Sequence, residues 1–248
     1  MLPIIHIFNC QIGSYELMTQ IAVIVTFLYS FVVLRQLNIK TREILLFIFI
    51  GFFVQYFGGA VIPFLYQWFY LHQAPWWRIW EISPGRYFYS VVLSMIAYLI
   101  VYSRIFKWPT KKILDLSVIA FMIGSSIGRI GCFLEGCCRG KHCDLPWAVR
   151  FPLYPGERLH PTQVYMFLLE TLLWIFLSIF NGKKKYDGQT FWVAIFMYSI
   201  YRIGIEFVRT NPVFILGLSH AQFFSIFTLA LSSFMLLWRD HELQKPGK

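Results

Sequence analysis

Arg129 stands near the end of a long apolar run, within Gly128-Arg129-Ile130-Gly131-Cys132-Phe133-Leu134-Glu135-Gly136-Cys137-Cys138-Arg139-Gly140. Desolvating a guanidinium in the membrane region costs from about 2.5 to about 17 kcal/mol, so it must face a partner, a polar cavity or a bound anion. Two other polar groups also sit at the ends of apolar runs: His160 with Gln163, and Arg202 with Glu206 and Arg209. On a helix, Arg202 and Glu206 are four apart and Glu206 and Arg209 three apart, which places all three on one face. The carboxylate can hold a guanidinium and partly offset its desolvation, leaving at least one net cation for an anionic group. Three arginines around one carboxylate would suit a phosphate well. For the last cluster taken alone, the plainer alternative is a buried Arg-Glu-Arg group that only fixes helix packing.

The elements that must position these groups are membrane spans. With 58% hydrophobic and 14% charged residues in 248, the chain reads as an integral membrane protein, a single polytopic domain over residues 1–248. Apolar runs at Leu17 to Leu34, Ile44 to Phe69, Tyr87 to Tyr102, Ile113 to Leu134, after Pro161 to Phe180, Gln189 to Val208 and Leu218 to Trp238 predict about seven transmembrane helices in an all-α fold. The tryptophans at 76, 77 and 80 mark an interfacial loop over Tyr70 to Arg86, and Gly58-Gly59 predicts either close helix contact or backbone approach to a ligand. The net charge of +10 would suggest nucleic acid in a soluble protein, but here the lysines mark loops and no nucleic-acid partner is expected. All but Lys141 fall in segments that this map makes cytoplasmic, which predicts the N-terminus outside and the C-terminus inside. Glu135 to Leu159 becomes a long external connection, and Arg129, His160 with Gln163, and the Arg202 cluster all arrive at the outer side. An anionic lipid could reach them sideways from the outer leaflet.

No cleaved signal peptide is expected, because Met1 to Cys10 lacks a basic start and a long apolar run. Cys132, Cys137, Cys138 and Cys143 crowd one segment beside His142. They lack the paired Cys-x-x-Cys ligands of common zinc sites, so no metal site is expected. An external disulfide involving Cys143, packing thiols, and a thiol that accepts or relays a lipid group all stay open.

Four segments in order resemble the prolipoprotein diacylglyceryl transferase family: Gly128 to Gly140, His160-Pro161-Thr162-Gln163-Val164-Tyr165 through Glu170, Tyr201-Arg202 through Arg209, and Leu218-Ser219 through Gln222. The resemblance implies a bacterial cytoplasmic-membrane enzyme. It would move the diacylglyceryl group of phosphatidylglycerol to the lipobox cysteine of a prolipoprotein, releasing glycerol phosphate, with no cofactor. It implies Arg129, Arg202 and Glu206 as the catalytic set, and Arg129, Gly140, His160, Gln163, Tyr165 and Arg209 around the substrate. Tyr89, in Gly85-Arg86-Tyr87-Phe88-Tyr89-Ser90-Val91, stands where the family has a histidine, and Cys132 stands where it has an asparagine. A tyrosine, with a pKa near about 10, can donate a hydrogen bond but is a poor base at neutral pH. These departures keep two alternatives open: a phospholipid-dependent transferase of the same fold with another acceptor, and a non-enzymatic transporter or lipid-binding protein.

Overall fold

The computed structural model describes residues 4–7, 10–66, 88–152, 154–211 and 213–244. Its helices are α1 (Ser14–Arg35), α2 (Thr41–Tyr66), α3 (Phe88–Ile105), α4 (Thr110–Glu135), α5 (Thr162–Asn181), α6 (Gln189–Val208) and α7 (His220–Gln244). Six of them are long and apolar enough to cross a membrane, and α3 adds a shorter apolar helix, Ser90–Ile105. The chain is therefore an all-α multi-pass membrane protein. The interfacial reading of residues 70–86 lies outside the described residues.

The helices are sorted for lipid rather than water. On α5, Leu168, Leu172, Ile175 and Ile179 are exposed, while Thr162, Gln163, Met166, Glu170, Leu173 and Leu177 are buried. Both sets recur every three or four residues, so one apolar stripe faces outward and the polar residues lie on the inward stripe. Lipid is as apolar as leucine, so the buried stripe gains from packing and polar pairing rather than from escape from water. An ionisable residue on that stripe is placed there by a partner.

Contacts divide the chain into two compact units, one of Ser30–Leu116 and one of Met1–Tyr29 with Ser117–Lys248. In the first, α2 packs on α3. The hydroxyl of Ser90 donates to the carbonyl of Gly58, and a Cβ on Gly58 would come within 2.6 Å of the Ser94 Cβ. Gly58 thus follows the close-contact reading. Tyr98 and Tyr102 donate to the carbonyls of Phe47 and Glu43 at 2.6 and 2.9 Å, and Trp108 donates to the Glu43 carboxylate at 3.1 Å.

The second unit holds the C-terminal half of α4 against the start of α1. A Cβ on Gly131 would lie 2.8 Å from the Met18 Cβ and 3.3 Å from the Tyr15 Cα. Ile119, Met122, Leu173, Leu177 and Ala194 join α4, α5 and α6 in one core. Ser199 and Thr228 share a 2.8 Å hydrogen bond between α6 and α7.

Short antiparallel hairpins depart from the loops expected between helices: β1 (Ile4–Ile7) with β2 (Cys10–Gly13), β3 (Val149–Phe151) with β4 (Tyr154–Leu159), and β5 (Val213–Ile215) with β6 (Leu218–Ser219). A seam of backbone bonds ties the segment after α4 to its neighbours. Gly140 N–H donates to His160 O at 2.9 Å, Lys141 N–H to Val208 O at 2.8 Å, and Cys143 N–H to Arg158 O at 2.9 Å. The ends of α4 and α6 and the start of α5 are therefore locked together.

Candidate functional site

Within this second unit, Arg129 lies near the end of α4 and its Nε donates to Glu170 Oε1 at 3.1 Å, with Glu170 fully buried. This corrects the expectation of one carboxylate among three arginines. Glu170 was hidden because it is one acidic residue inside an apolar span. Its place on the inward stripe of α5, and the rarity of a carboxylate there, were the available signals. Its second oxygen is buried without a hydrogen-bond donor among the described residues.

Arg202 pairs with Glu206 through Nη2 and Oε2 at 3.3 Å, as their spacing of four predicts. The other oxygen of Glu206 accepts the Ser219 hydroxyl at 2.7 Å and the side-chain amide of Asn211. Ser219 is itself fixed by a reciprocal cap of α7: its backbone N–H donates to Gln222 Oε1 at 3.0 Å, and Gln222 N–H donates to its hydroxyl at 3.2 Å. This is the Ser-x-x-Gln capping box. Glu206 is thereby held from α6, the following loop and the start of α7 at once, and its Oε2 meets Arg202 only as an ion pair, with no hydrogen bond among the described residues.

Arg209 does not join Glu206 as the helical spacing predicts. It caps α6 with φ −87° and ψ 152°, so the chain is already extended there and the three-residue spacing no longer sets its direction. Its Nη1 instead lies 3.8 Å from Met166 Sδ, the same thioether that Arg202 Nη1 approaches at 3.8 Å, and its Nε is buried without a hydrogen-bond partner among the described residues. A thioether is a weak acceptor. Among the described residues Arg209 has no carboxylate partner, so three guanidiniums and two carboxylates leave one net positive charge.

The remaining expected residues take separate places. The ring Nδ1 of His160 lies 3.2 Å from the Tyr165 hydroxyl, which accepts from Trp147 Nε1 at 2.7 Å. Gln163 is buried on α5, with its amide on the Cys137 carbonyl, and the Thr162 hydroxyl holds the Cys138 carbonyl. Thr162, read from sequence as a helix-start residue, thus anchors the segment after α4. Gly140 lies in the backbone seam, where a Cβ would meet His160 Cβ and Val208 O at 2.6 Å each. Tyr89 lies in the first turn of α3, in the other unit, and its side chain lies outside the described residues.

Between these groups run the cysteines. All four of Cys132, Cys137, Cys138 and Cys143 are free thiols, which rules out the disulfide alternative for Cys143, and Cys143 is buried. The thiols of Cys132 and Cys137 hydrogen-bond to Cys138, and Arg209 and Arg129 add their charge; together these outweigh burial and hold the Cys138 thiol well below its ordinary range. The Cys137 thiol is pushed well up by its bonds to Cys132 and Cys138. Cys138, Arg139, Arg209, Thr210 and Asn211 line a cleft of about 260 Å³. Arg139 stacks 3.3 Å over the Tyr154 ring. A second cleft of about 330 Å³ is apolar and lies along α5 and α6, lined by residues including Leu172, Phe176, Met197 and Tyr201.

One cleft is thus polar and lined by two guanidiniums, and the other is apolar. A family model described as prolipoprotein diacylglyceryl transferase matches residues 3–238. Among curated proteins, a phosphatidylglycerol-prolipoprotein diacylglyceryl transferase of Clostridium tetani is 34% identical over 160 residues, covering 62% of this chain and 64% of that protein. A protein of the same name from Dehalococcoides mccartyi is 31% identical over 191 residues, covering 72% and 73%. A third, from Clostridium perfringens and named transferase 2, is 32% identical over 177 residues, covering 69% of each.

Proposed function

The chain belongs to the prolipoprotein diacylglyceryl transferase family, and on that premise we propose that it transfers the diacylglyceryl group of phosphatidylglycerol to the lipobox cysteine of a prolipoprotein. The observation that carries the proposal is Arg209, a cation without a carboxylate partner among the described residues, sharing the Met166 sulfur with Arg202 and lining the polar cleft. A headgroup phosphate supplies the charge that a thioether cannot. The apolar cleft along α5 and α6 suits the acyl chains.

In the reaction, the lipobox sulfur attacks the glyceryl carbon that carries the phosphate. The carbon–sulfur bond forms, the carbon–oxygen bond to phosphate breaks, and the electron pair leaves on the phosphate oxygen. Glycerol phosphate departs, and the thiol proton is balanced on it. Arg202 and Arg209 stabilise charge as it builds on the leaving group, which is where fixed donors contribute most to rate. Arg129, fixed by Glu170, extends the positive wall, while Glu206 orients Arg202. Gly140 keeps the seam closed at the cleft, and His160, Gln163 and Tyr165 border the substrate. On the family resemblance alone, Tyr89 is kept as a substrate-binding residue in place of the family's histidine. The enzyme is placed in the bacterial cytoplasmic membrane, N-terminus outside, with the site at the outer leaflet.

The test is expression in a cell depleted of its own diacylglyceryl transferase, following a reporter prolipoprotein by mass. Rescue by the natural chain, with loss of at least about a hundredfold in Arg202→Ala and Arg129→Ala, is the expected result. Full conversion by Arg202→Ala, or no conversion by the natural chain at normal membrane levels, would refute the assignment. A product on another acceptor would shift the reading to a related transferase.

A further inference from the structure

Cys132, Cys137 and Cys138 bring their sulfur atoms within 4.8 Å of one another, and none is bonded to another. The transfer reaction uses none of these thiols as its nucleophile, so their convergence is unexplained by it. We propose that they form a three-thiolate site for a soft, thiophilic cation of the Cu(I) or Zn(II) class.

The local fold builds the cluster from residues that sequence spacing would separate. Cys132 is in the last turn of α4, and Gly136 ends the helix at φ +81°, donating its N–H to Cys132 O and Phe133 O at 3.1 and 3.2 Å. A left-handed glycine is the usual helix stop. Cys138 is then also left-handed, at φ +61°. A side chain in that region costs about 1–2 kcal/mol and persists only where surroundings impose it. Gln163 and Thr162 impose it from α5 by holding the Cys137 and Cys138 carbonyls. The two reversals turn both thiols back onto Cys132.

The spacing suits a metal. With metal–sulfur bonds near about 2.3 Å, three sulfurs in a plane around an ion lie about 4.0 Å apart. The cluster therefore reaches coordination distance by closing less than about an ångström from its outer limit. Three sulfurs with no oxygen donor among them select soft ions over magnesium or calcium. Three thiolates around a monovalent or divalent ion keep a net negative charge, which favours the ion over the neutral thiols only as their protons leave on binding. Binding of the ion itself does not depend on the transfer reaction.

The full chain, purified in detergent and fully reduced without oxygen, is titrated with Cd(II) as an optical probe. The expected result is an ultraviolet thiolate-to-metal absorption that saturates at one ion per chain. Cys132→Ser, Cys137→Ser and Cys138→Ser should each weaken binding by more than about tenfold, while Cys143→Ser binds like the natural chain. Mass-mapped alkylation of the unsubstituted protein gives a second reading, in which Cd(II) should protect Cys132, Cys137 and Cys138. Absence of the band, its survival in the triple serine variant, or unchanged alkylation at saturating Cd(II) would overturn the proposal. So would conversion of these thiols to a disulfide in the reduced, metal-treated protein.

Discussion

Glu206 ties three segments together through one carboxylate. One oxygen forms an ion pair with Arg202 and the other accepts from Ser219 and Asn211, so the guanidinium and the start of α7 are fixed to the same group. Ser219→Ala removes the cap of α7 and a hydrogen bond to a buried charge together. It should lower stability by about 2 kcal/mol, read as an earlier thermal transition in detergent, and should slow transfer by loosening Arg202. An unchanged transition would show that the cap contributes nothing. Glu170 has a sharper test, because it is fully buried against Arg129. Glu170→Gln leaves that guanidinium without its counter-charge and should cost about 3–5 kcal/mol. Reduced yield of folded protein with a lowered melting transition checks this. The sequence announced Arg129 because a cation at the end of an apolar run is anomalous. It concealed Glu170, since the pairing spans 41 residues and no periodicity links the partners.

At the scale of elements, the helices were legible because each inward stripe and each lipid-facing stripe repeats with helical spacing, and α6 runs from Gln189 to Val208 as the apolar run itself does. The seam around Gly140 was not legible. Its strands are too short to alternate, and its bonds join segments after α4, before α5 and after α6. Arg209 fell outside the helical rule for the same reason: α6 had ended. The glycines allow a graded test of this layer. Gly140→Ala forces a methyl against His160 Cβ and the Val208 carbonyl, and backbone cannot yield cheaply. It should cost about 1–3 kcal/mol and reduce transfer more than expression. By contrast, a Cβ on Gly156 meets nothing within 4 Å, so Gly156→Ala should leave transfer unchanged. Equal loss in both variants would contradict the seam's role.

For the whole molecule, the hydropathy pattern identified a membrane protein and the ordered motifs identified its family, which the match over residues 3–238 supports independently. The gathering of three arginines follows from helix ends meeting at one level of the second unit, which a topology map alone can express. What the map could not express was the difference among them, since Arg129 and Arg202 are paired with carboxylates and Arg209, among the described residues, is not. On the proposed mechanism, this residual positive charge receives the phosphate of phosphatidylglycerol and expels it as glycerol phosphate. The most direct measurement uses the purified chain in vesicles, with a lipobox peptide and either phosphatidylglycerol or phosphatidylcholine. Only phosphatidylglycerol should yield a thioether-linked diacylglyceryl peptide, with one glycerol phosphate released for each peptide modified and neither product formed by Arg202→Ala. An unmodified peptide, equal reaction with phosphatidylcholine, or a modified peptide that keeps the phosphate would contradict it.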